Sequence, residues 1–315
     1  MKLKNYYVSA NTAEGYMDSL KTNLHGIEEV IQLGNASYNT NTAIIKQLIE
    51  QNKDHTQIEV LKSPISEEFL EGVIFREKKL AILGRRDCPF TNQAYDLFKK
   101  GLQIHDDLEL VFIQEMDFEK ADDLAKKYIE ELLPENIKGP RKPHIYRRFF
   151  GTNTMDGVVN EVPNLTAELD MVYHIKGRAG TGKSTFMKRF VKACEARGLD
   201  LEIYHCSFDP SSIDLVLVPE LNICLFDSTD PHAFEPKDKA KEKVIDLYKE
   251  TVTPGTDEKY ANEISNLTKQ YKSYMKKGLA SLERESAEII AQDAKKPFNE
   301  TEIKERVNTL QMKLD

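Results

Sequence analysis

The apolar residues of this chain fall into short runs of strand length, set between segments with a helical period. That alternation predicts an α/β architecture. In the second half, Met171-Val172-Tyr173-His174-Ile175 reads as a strand, and 186–193 as a helix with Phe186, Met187, Phe190 and Val191 on one face. Residues 201–204 read as another strand, and 221–227 as an apolar strand that ends in Asp227. In the first half Ile58-Glu59-Val60 and Leu80-Ala81-Ile82-Leu83 have the same character. Residues 91–133 carry Leu97, Leu102, Leu108, Val111, Phe112, Met116, Leu124, Tyr128 and Leu132 close to a helical period. Gly101 would bend or break that helix, and 108–113 reads alternatively as a short strand. The Pro, Gly and charge of PENIKGPRKP, residues 134–143, mark a linker. The pattern therefore predicts a domain over 1–140 with a helical extension, and a second over 141–315. Within the second, 237–269 is a polar insert containing Pro254-Gly255, read as a mobile loop and helix that could serve as a lid. Residues 271–315 read as helices with a thin apolar stripe of Leu279, Leu282, Ile289 and Ile290.

Between the strand at 171–175 and the helix at 186–193 lies GRAGTGKST, residues 177–185. It satisfies G-x-x-x-x-G-K-[ST], and strand, glycine loop and helix is the context in which that motif binds phosphate. Gly177, Gly180 and Gly182 let the backbone turn and approach phosphate oxygens with no Cβ in the way. The loop residues Arg178, Ala179 and Thr181 supply backbone amides at the positive end of the helix dipole. Lys183 brings a point charge to the β- and γ-phosphates, the Ser184 hydroxyl is a Mg²⁺ ligand, and Thr185 supports the α-phosphate side. A downstream acid at a strand end is expected to hold the metal. Asp227 is that acid. Asp209, in His205-Cys206-Ser207-Phe208-Asp209-Pro210, competes with it as a catalytic residue, and equally suits a turn or helix cap before Pro210 and Ser211. The expected ligands are ATP and Mg²⁺.

The chain also repeats itself. Tyr6-Tyr7 leads to Gly15 as Phe149-Phe150 leads to Gly157. Gly34 precedes Gly177 by 143 positions, and at that offset Ile58-Glu59-Val60 falls on Leu201-Glu202-Ile203. Leu80-Ala81-Ile82-Leu83 then falls on Ile223-Cys224-Leu225-Phe226, and Asp87 on Asp230, a gapless match over about fifty residues. Phe98-Lys99-Lys100-Gly101-Leu102 returns as Met275-Lys276-Lys277-Gly278-Leu279, so the second copy carries an insertion of about 34 residues. On this alignment Thr40 replaces Lys183, Asn41 replaces Ser184 and Gly84 replaces Asp227. The first copy has lost the groups for MgATP, although its helix start retains the capacity for a small anion.

Several segments together resemble the bacterial tandem P-loop ATPases of unassigned role, in which two nucleotide-kinase-like halves are fused. They are Thr152-Asn153-Thr154 with Gly157, GRAGTGKST, His205–Pro210, Phe226-Asp227-Ser228-Thr229-Asp230-Pro231-His232, Ile104-His105-Asp106-Asp107 and Met116–Asp122. The resemblance spans nearly the whole chain. It implies two P-loop NTPase-like halves, each a parallel sheet with helical appendages, and ATP binding without a named substrate. The first half departs from it, having fewer glycines in its loop.

Composition narrows the function. The net charge of −8 argues against a general nucleic-acid binder. Cys88, Cys194, Cys206 and Cys224 form no CxxC pair, and scattered thiols suit a reducing compartment. No apolar signal segment opens the chain and no run is long enough for a bilayer, so the expected location is cytoplasmic, with no membrane partner. No guanine signature is present, which favours adenine. Arg141, Lys142, Arg147 and Arg148 follow the linker, either as a phosphate-reaching finger or as a solvated basic stretch. His25, His55, His105 and His144 read as surface groups. His205 and His232 sit at strand ends, as phosphate contacts or as structural hydrogen-bonding groups. Three functions fit: an ATP hydrolase or ATP-driven switch, in which Asp209 or Asp230 orients the attacking group; a phosphotransferase acting on a small molecule or nucleotide; or a non-catalytic module locked by nucleotide. The oligomeric state and the phosphoryl acceptor are not encoded in any motif.

Overall fold

The computed structural model describes residues 3–34, 36–54, 57–84, 90–134, 136–139, 142–230 and 233–315. The first half of the chain runs β1 (Leu3–Tyr6), β2 (Ser9–Thr12), β3 (Gly15–Asp18), α1 (Leu20–Asn23), β4 (Glu29–Gln32), α2 (Tyr38–Gln51), β5 (Ile58–Lys62), β6 (Leu70–Phe75), β7 (Leu80–Leu83), α3 (Asn92–Ile113) and α4 (Phe118–Leu132). The second half runs β8 (Ile145–Arg148), β9 (Gly151–Thr154), β10 (Gly157–Asn160), α5 (Val162–Thr166), β11 (Met171–Lys176), α6 (Lys183–Ala196), β12 (Leu201–His205), β13 (Ile213–Val218), β14 (Ile223–Asp227), β15 (Glu242–Asp246), α7 (Leu247–Thr251), α8 (Thr256–Lys259), α9 (Ala261–Asp293) and α10 (Glu300–Gln311). The architecture is α/β. Helix α3 passes through Gly101 without a break. The absent side chain lets the backbone of α9 approach: a Cβ at Gly101 would lie 3.4 Å from the Tyr274 Cβ.

The expected parallel sheets are mixed instead. One sheet has the order β1-β5-β6-β7-β4 and the other β15-β11-β14-β13-β12-β8. In the first, β5-β6 and β6-β7 are antiparallel, while β1-β5 and β4-β7 are parallel. In the second, β12-β13 and β13-β14 are antiparallel, while β11-β14 and β11-β15 are parallel. The cause is a pair of strands that the pattern hid. LEGVIF and IDLVLV each form a fully buried strand reached by a short connection, which turns the chain back on itself rather than crossing over. The two sheets repeat each other closely, and even the ladder irregularity at Leu61/Lys62 recurs at Tyr204/His205.

The compact units do not follow the expected boundary at 140. One comprises Met1–Tyr95, Arg148–Leu165 and Lys277–Asp315; the other comprises Asp96–Arg147 and Thr166–Lys276. The reason is where the helical tails bury their apolar faces. In the first unit Ile303, Val307, Leu310 and Leu314 join the core of Ile44, Ile45, Leu48, Val60, Val73 and Ile82. In the second, Ala125, Leu132 and Leu133 of the α4 region join Phe186, Met187, Phe190 and Val191 of α6. Burial of each large apolar side chain contributes about 1.5–3 kcal/mol, so each tail adheres to the sheet layer it covers.

The first unit also holds two hairpins, β2-β3 and β9-β10, whose turns need the positive φ of Gly15 and Gly157. Tyr7 and Phe149 exchange both backbone hydrogen bonds, each 2.9 Å, and Asn11 and Asn153 each donate a side-chain amide to the other's carbonyl. Arg148, expected in a finger or a solvated stretch, is instead buried here. It donates to Asn23 Oδ1 at 2.7 Å, pairs with Glu59 at 3.4 Å and lies 4.0 Å above the Tyr6 ring. Despite its burial, the Arg148 and Arg76 guanidinium groups hold the Glu59 carboxyl below its ordinary value.

In the second unit, residues expected to form a loose insert give β15, which extends the sheet beside β11, followed by α7, α8 and the start of α9. Among the described residues no helix is long and apolar enough to cross a membrane. Asn35, His55, Asp87, Cys88, Arg141, Pro231 and His232, named above, lie outside the described residues.

Candidate functional site

The loop over 177–185 joins β11 to α6 in the second unit, and its glycines are required by geometry. Gly180 and Gly182 have φ of +73° and +79°, in the left-handed region where a side chain is strained. A Cβ at Gly177 would lie 2.3 Å from Thr181 Oγ1. The loop holds itself in shape: Thr181 Oγ1 donates to the Arg178 carbonyl at 2.9 Å, and Lys183 Nζ donates to the same oxygen at 2.7 Å. The Arg178 side chain is turned away, donating to Asp257 at 2.8 Å with its guanidinium 5.0 Å from the Tyr248 ring centroid. Ala179 packs against the cluster of Leu108, Val111 and Phe112 on α3. Thr185 is exposed on the first turn of α6.

Asp227 ends β14, the strand next to β11, and one carboxylate oxygen lies 3.7 Å from Lys183 Nζ. Its other oxygen accepts from the Thr229 hydroxyl. Ser184 Oγ accepts from the Ile213 N–H at 3.0 Å, which leaves a second lone pair for a cation. Lys183, Ser184 and Asp227 therefore converge. Asp209 is engaged differently. Its carboxylate accepts from Ser211 N–H at 3.0 Å and from the hydroxyls of Ser211 and Ser212 at 3.1 and 2.6 Å, building the turn before β13. Asp230 pairs with Lys272 at 2.7 Å, and His205 bonds Arg147 at 3.0 Å.

Three side chains near the loop escaped the sequence reading. Asp214, on β13, is buried; burial and then the Asp227 charge push its carboxyl up to about 7. An acid inside an otherwise apolar strand was the available signal. His105 on α3 is half-buried rather than a surface group, stacked edge-on to Phe208 and Tyr271, and burial with the Lys183 charge lowers its pKa. At Glu109, one turn further along α3, it is the main chain that approaches the loop. A Cβ at Gly180 would lie 2.3 Å from the Glu109 carbonyl oxygen. Burial and then the Asp106 charge raise the Glu109 carboxyl, while the Gly180 N–H draws it down.

The corresponding loop of the first unit is built differently. Lys183 starts α6 nine positions after His174, whereas Tyr38 starts α2 only six positions after Gln32, its counterpart in the strand ladder. The repeat is thus not gapless: β5, β6 and β7 keep the offset of 143 to β12, β13 and β14, but Gln32 stands 142 before His174 (174 − 32) and the loop is shortened, so Tyr38, not Thr40, begins the helix where Lys183 does. The Tyr38 N–H is taken by the buried carboxylate of Asp293. The Thr40 N–H is taken by the Ser37 hydroxyl at 3.0 Å. A Cβ at Gly84 would lie 2.9 Å from the Asn41 Cβ, so an acid cannot return there without displacing Asn41. The anion expected at this helix start is supplied by the chain.

No family model, curated protein or solved structure matches the chain.

Proposed function

We propose that the chain is an ATP-binding P-loop protein that works as a Mg²⁺-dependent ATP hydrolase or ATP-driven switch, with one nucleotide site in the second unit and a degenerate P-loop-like first unit. The observation that carries this reading is the convergence of Lys183, Ser184 and Asp227 at a glycine loop whose φ angles demand glycine. Among the described residues no three His, Cys, Asp or Glu side chains gather to hold a metal by themselves. That suits Mg²⁺, which takes a few protein oxygens and completes its shell with water and phosphate. Ser184 and Asp227 would hold it, and when bound it supplies positive charge to the phosphates.

The chain's own groups do the rest. The amides from Gly180 to Thr185 bind the phosphate oxygens, and Lys183 exchanges the Arg178 carbonyl for the β- and γ-phosphates. The Asp227 carboxylate keeps Lys183 oriented. Asp209 is tied to its turn, so it orients an attacking group only by giving up bonds to Ser211 or Ser212. Adenine rests on the lack of a guanine motif. The free thiols of Cys194, Cys206 and Cys224 support a reducing, cytoplasmic setting.

Phosphate release measured at varied Mg²⁺ tests this reading. Asp227→Asn is expected to lose at least about tenfold in Mg²⁺-dependent turnover, and Asp209→Asn to lose less than about threefold. Loss of Mg²⁺ dependence in Asp209→Asn with retention in Asp227→Asn would reassign the acid. Transfer of label to an added small-molecule acceptor in place of water would make the chain a phosphotransferase.

A further inference from the structure

Strand β13 brings to the loop a carboxylate that no P-loop motif contains. The antiparallel ladder ends at the pair of Leu215 with Phe226, and Asp214 and Asp227 are the next residue of each strand, Asp214 at the bulge where β12 pairs with Ile213 and Leu215. One residue earlier, the Ile213 N–H is the donor to Ser184 Oγ. The same short stretch of β13 thus touches the hydroxyl and faces the acid that would hold Mg²⁺. Asp214 is 7% exposed. Asp214 and Asp227 have one ammonium near them, that of Lys183, and a divalent cation would favour the charged form of both carboxylates.

The first unit provides an internal control. The counterpart of Asp214 is Glu71, and that of Asp227 is Gly84, whose N–H donates to the Glu71 carbonyl at 2.9 Å across the equivalent ladder. Glu71 is also buried, and its carboxylate accepts from the Ser9 hydroxyl at 2.7 Å, while glycine stands where Asp227 does. A buried acid at this place in the strand therefore serves the fold in both units. In the second unit the residue at the Gly84 position is a second acid, Asp227.

We propose that Asp214 is the second acidic residue of the cation site, acting with Asp227 and the Ser184 hydroxyl to hold the hydrated Mg²⁺ that accompanies the nucleotide. This rests on the nucleotide reading above. Asp214 acts on the cation and its water shell, not on the phosphates, so its loss separates from the loss of Lys183.

The test is titration calorimetry of ATP into the full chain over a series of Mg²⁺ concentrations, which reads cation coupling without turnover. Asp214→Asn is expected to keep metal-free ATP affinity within about threefold, and to raise the Mg²⁺ concentration for half-maximal tightening at least about tenfold. Asp214→Glu, which retains the charge, is expected to shift the midpoint in the same direction by a smaller factor, about threefold, and it carries the test if melting shows Asp214→Asn unfolded. An unmoved Mg²⁺ midpoint in the folded variant overturns the proposal. So does an equal loss of ATP affinity with and without Mg²⁺. A wild-type chain that binds no ATP at any Mg²⁺ concentration overturns the nucleotide reading as well, whereas ATP binding with an unmoved midpoint overturns this proposal alone.

Discussion

Lys183→Ala is expected to weaken MgATP binding at least about tenfold and to reduce it to undetectable levels where the wild-type affinity is micromolar. The Lys183 side chain is 11% exposed, its Nζ donating to the Arg178 carbonyl at 2.7 Å and lying 3.7 Å from Asp227. A hydrogen bond to a charged group contributes about 1.5–3 kcal/mol, which corresponds to about 10–100-fold in affinity. Alanine would also leave the Asp227 carboxylate beside the phosphates without its ammonium, so repulsion adds to the lost attraction. Calorimetric titration of the folded variant measures this. Unchanged affinity would remove the loop from the binding site.

Arg148→Ala is expected to destabilise the first unit by about 3–5 kcal/mol, because removing one partner of a buried ion pair leaves the other buried and uncompensated. Arg148 is 1% exposed and joins Glu59, Asn23 and the Tyr6 ring. Arg76 remains beside Glu59 at 2.8 Å, which places the effect toward the lower end of that range. The pH dependence has a definite sign. The folded Glu59 carboxyl is held below its unfolded value, so its contribution is present above the ordinary carboxylate range and fades as pH falls through the lowered value. With Arg148 gone, acid unfolding moves to higher pH. Urea midpoints across pH 3–7 would show both effects; a loss under about 1 kcal/mol would mean that the arginine is dispensable to the core.

The strands at 171–175 and 201–204 and the helix at 186–193 were legible because each combines a clear period with a clean boundary. Strands β6 and β13 were not, because a fully buried strand has no alternation, and IDLVLV carries its acid where the pattern looks apolar. Missing them turned a mixed sheet into an expected parallel one and concealed Asp214. The repeat was visible in the strands, where ladder register fixes the spacing, but its apparent continuity ran across a loop that is shorter in the first copy. The compact units divide the chain differently from the boundary expected at 140, for a different reason. Periodicity tells which face of α4 or α10 is apolar, but not which sheet it covers. The Arg148 site was hidden by its neighbours: Arg141, Lys142 and Arg147 made it look like one of a basic run, and only three-dimensional contact with Glu59 and Tyr6 separates it from them.

The most direct measurement is the stoichiometry of ATP binding in the presence of Mg²⁺, by calorimetry on the full chain. One nucleotide per chain, lost in Lys183→Ala, is the expected result, because the loop of the second unit is intact while Asp293 and the shortened loop close its counterpart. Two nucleotides per chain, or one that survives Lys183→Ala, would contradict it.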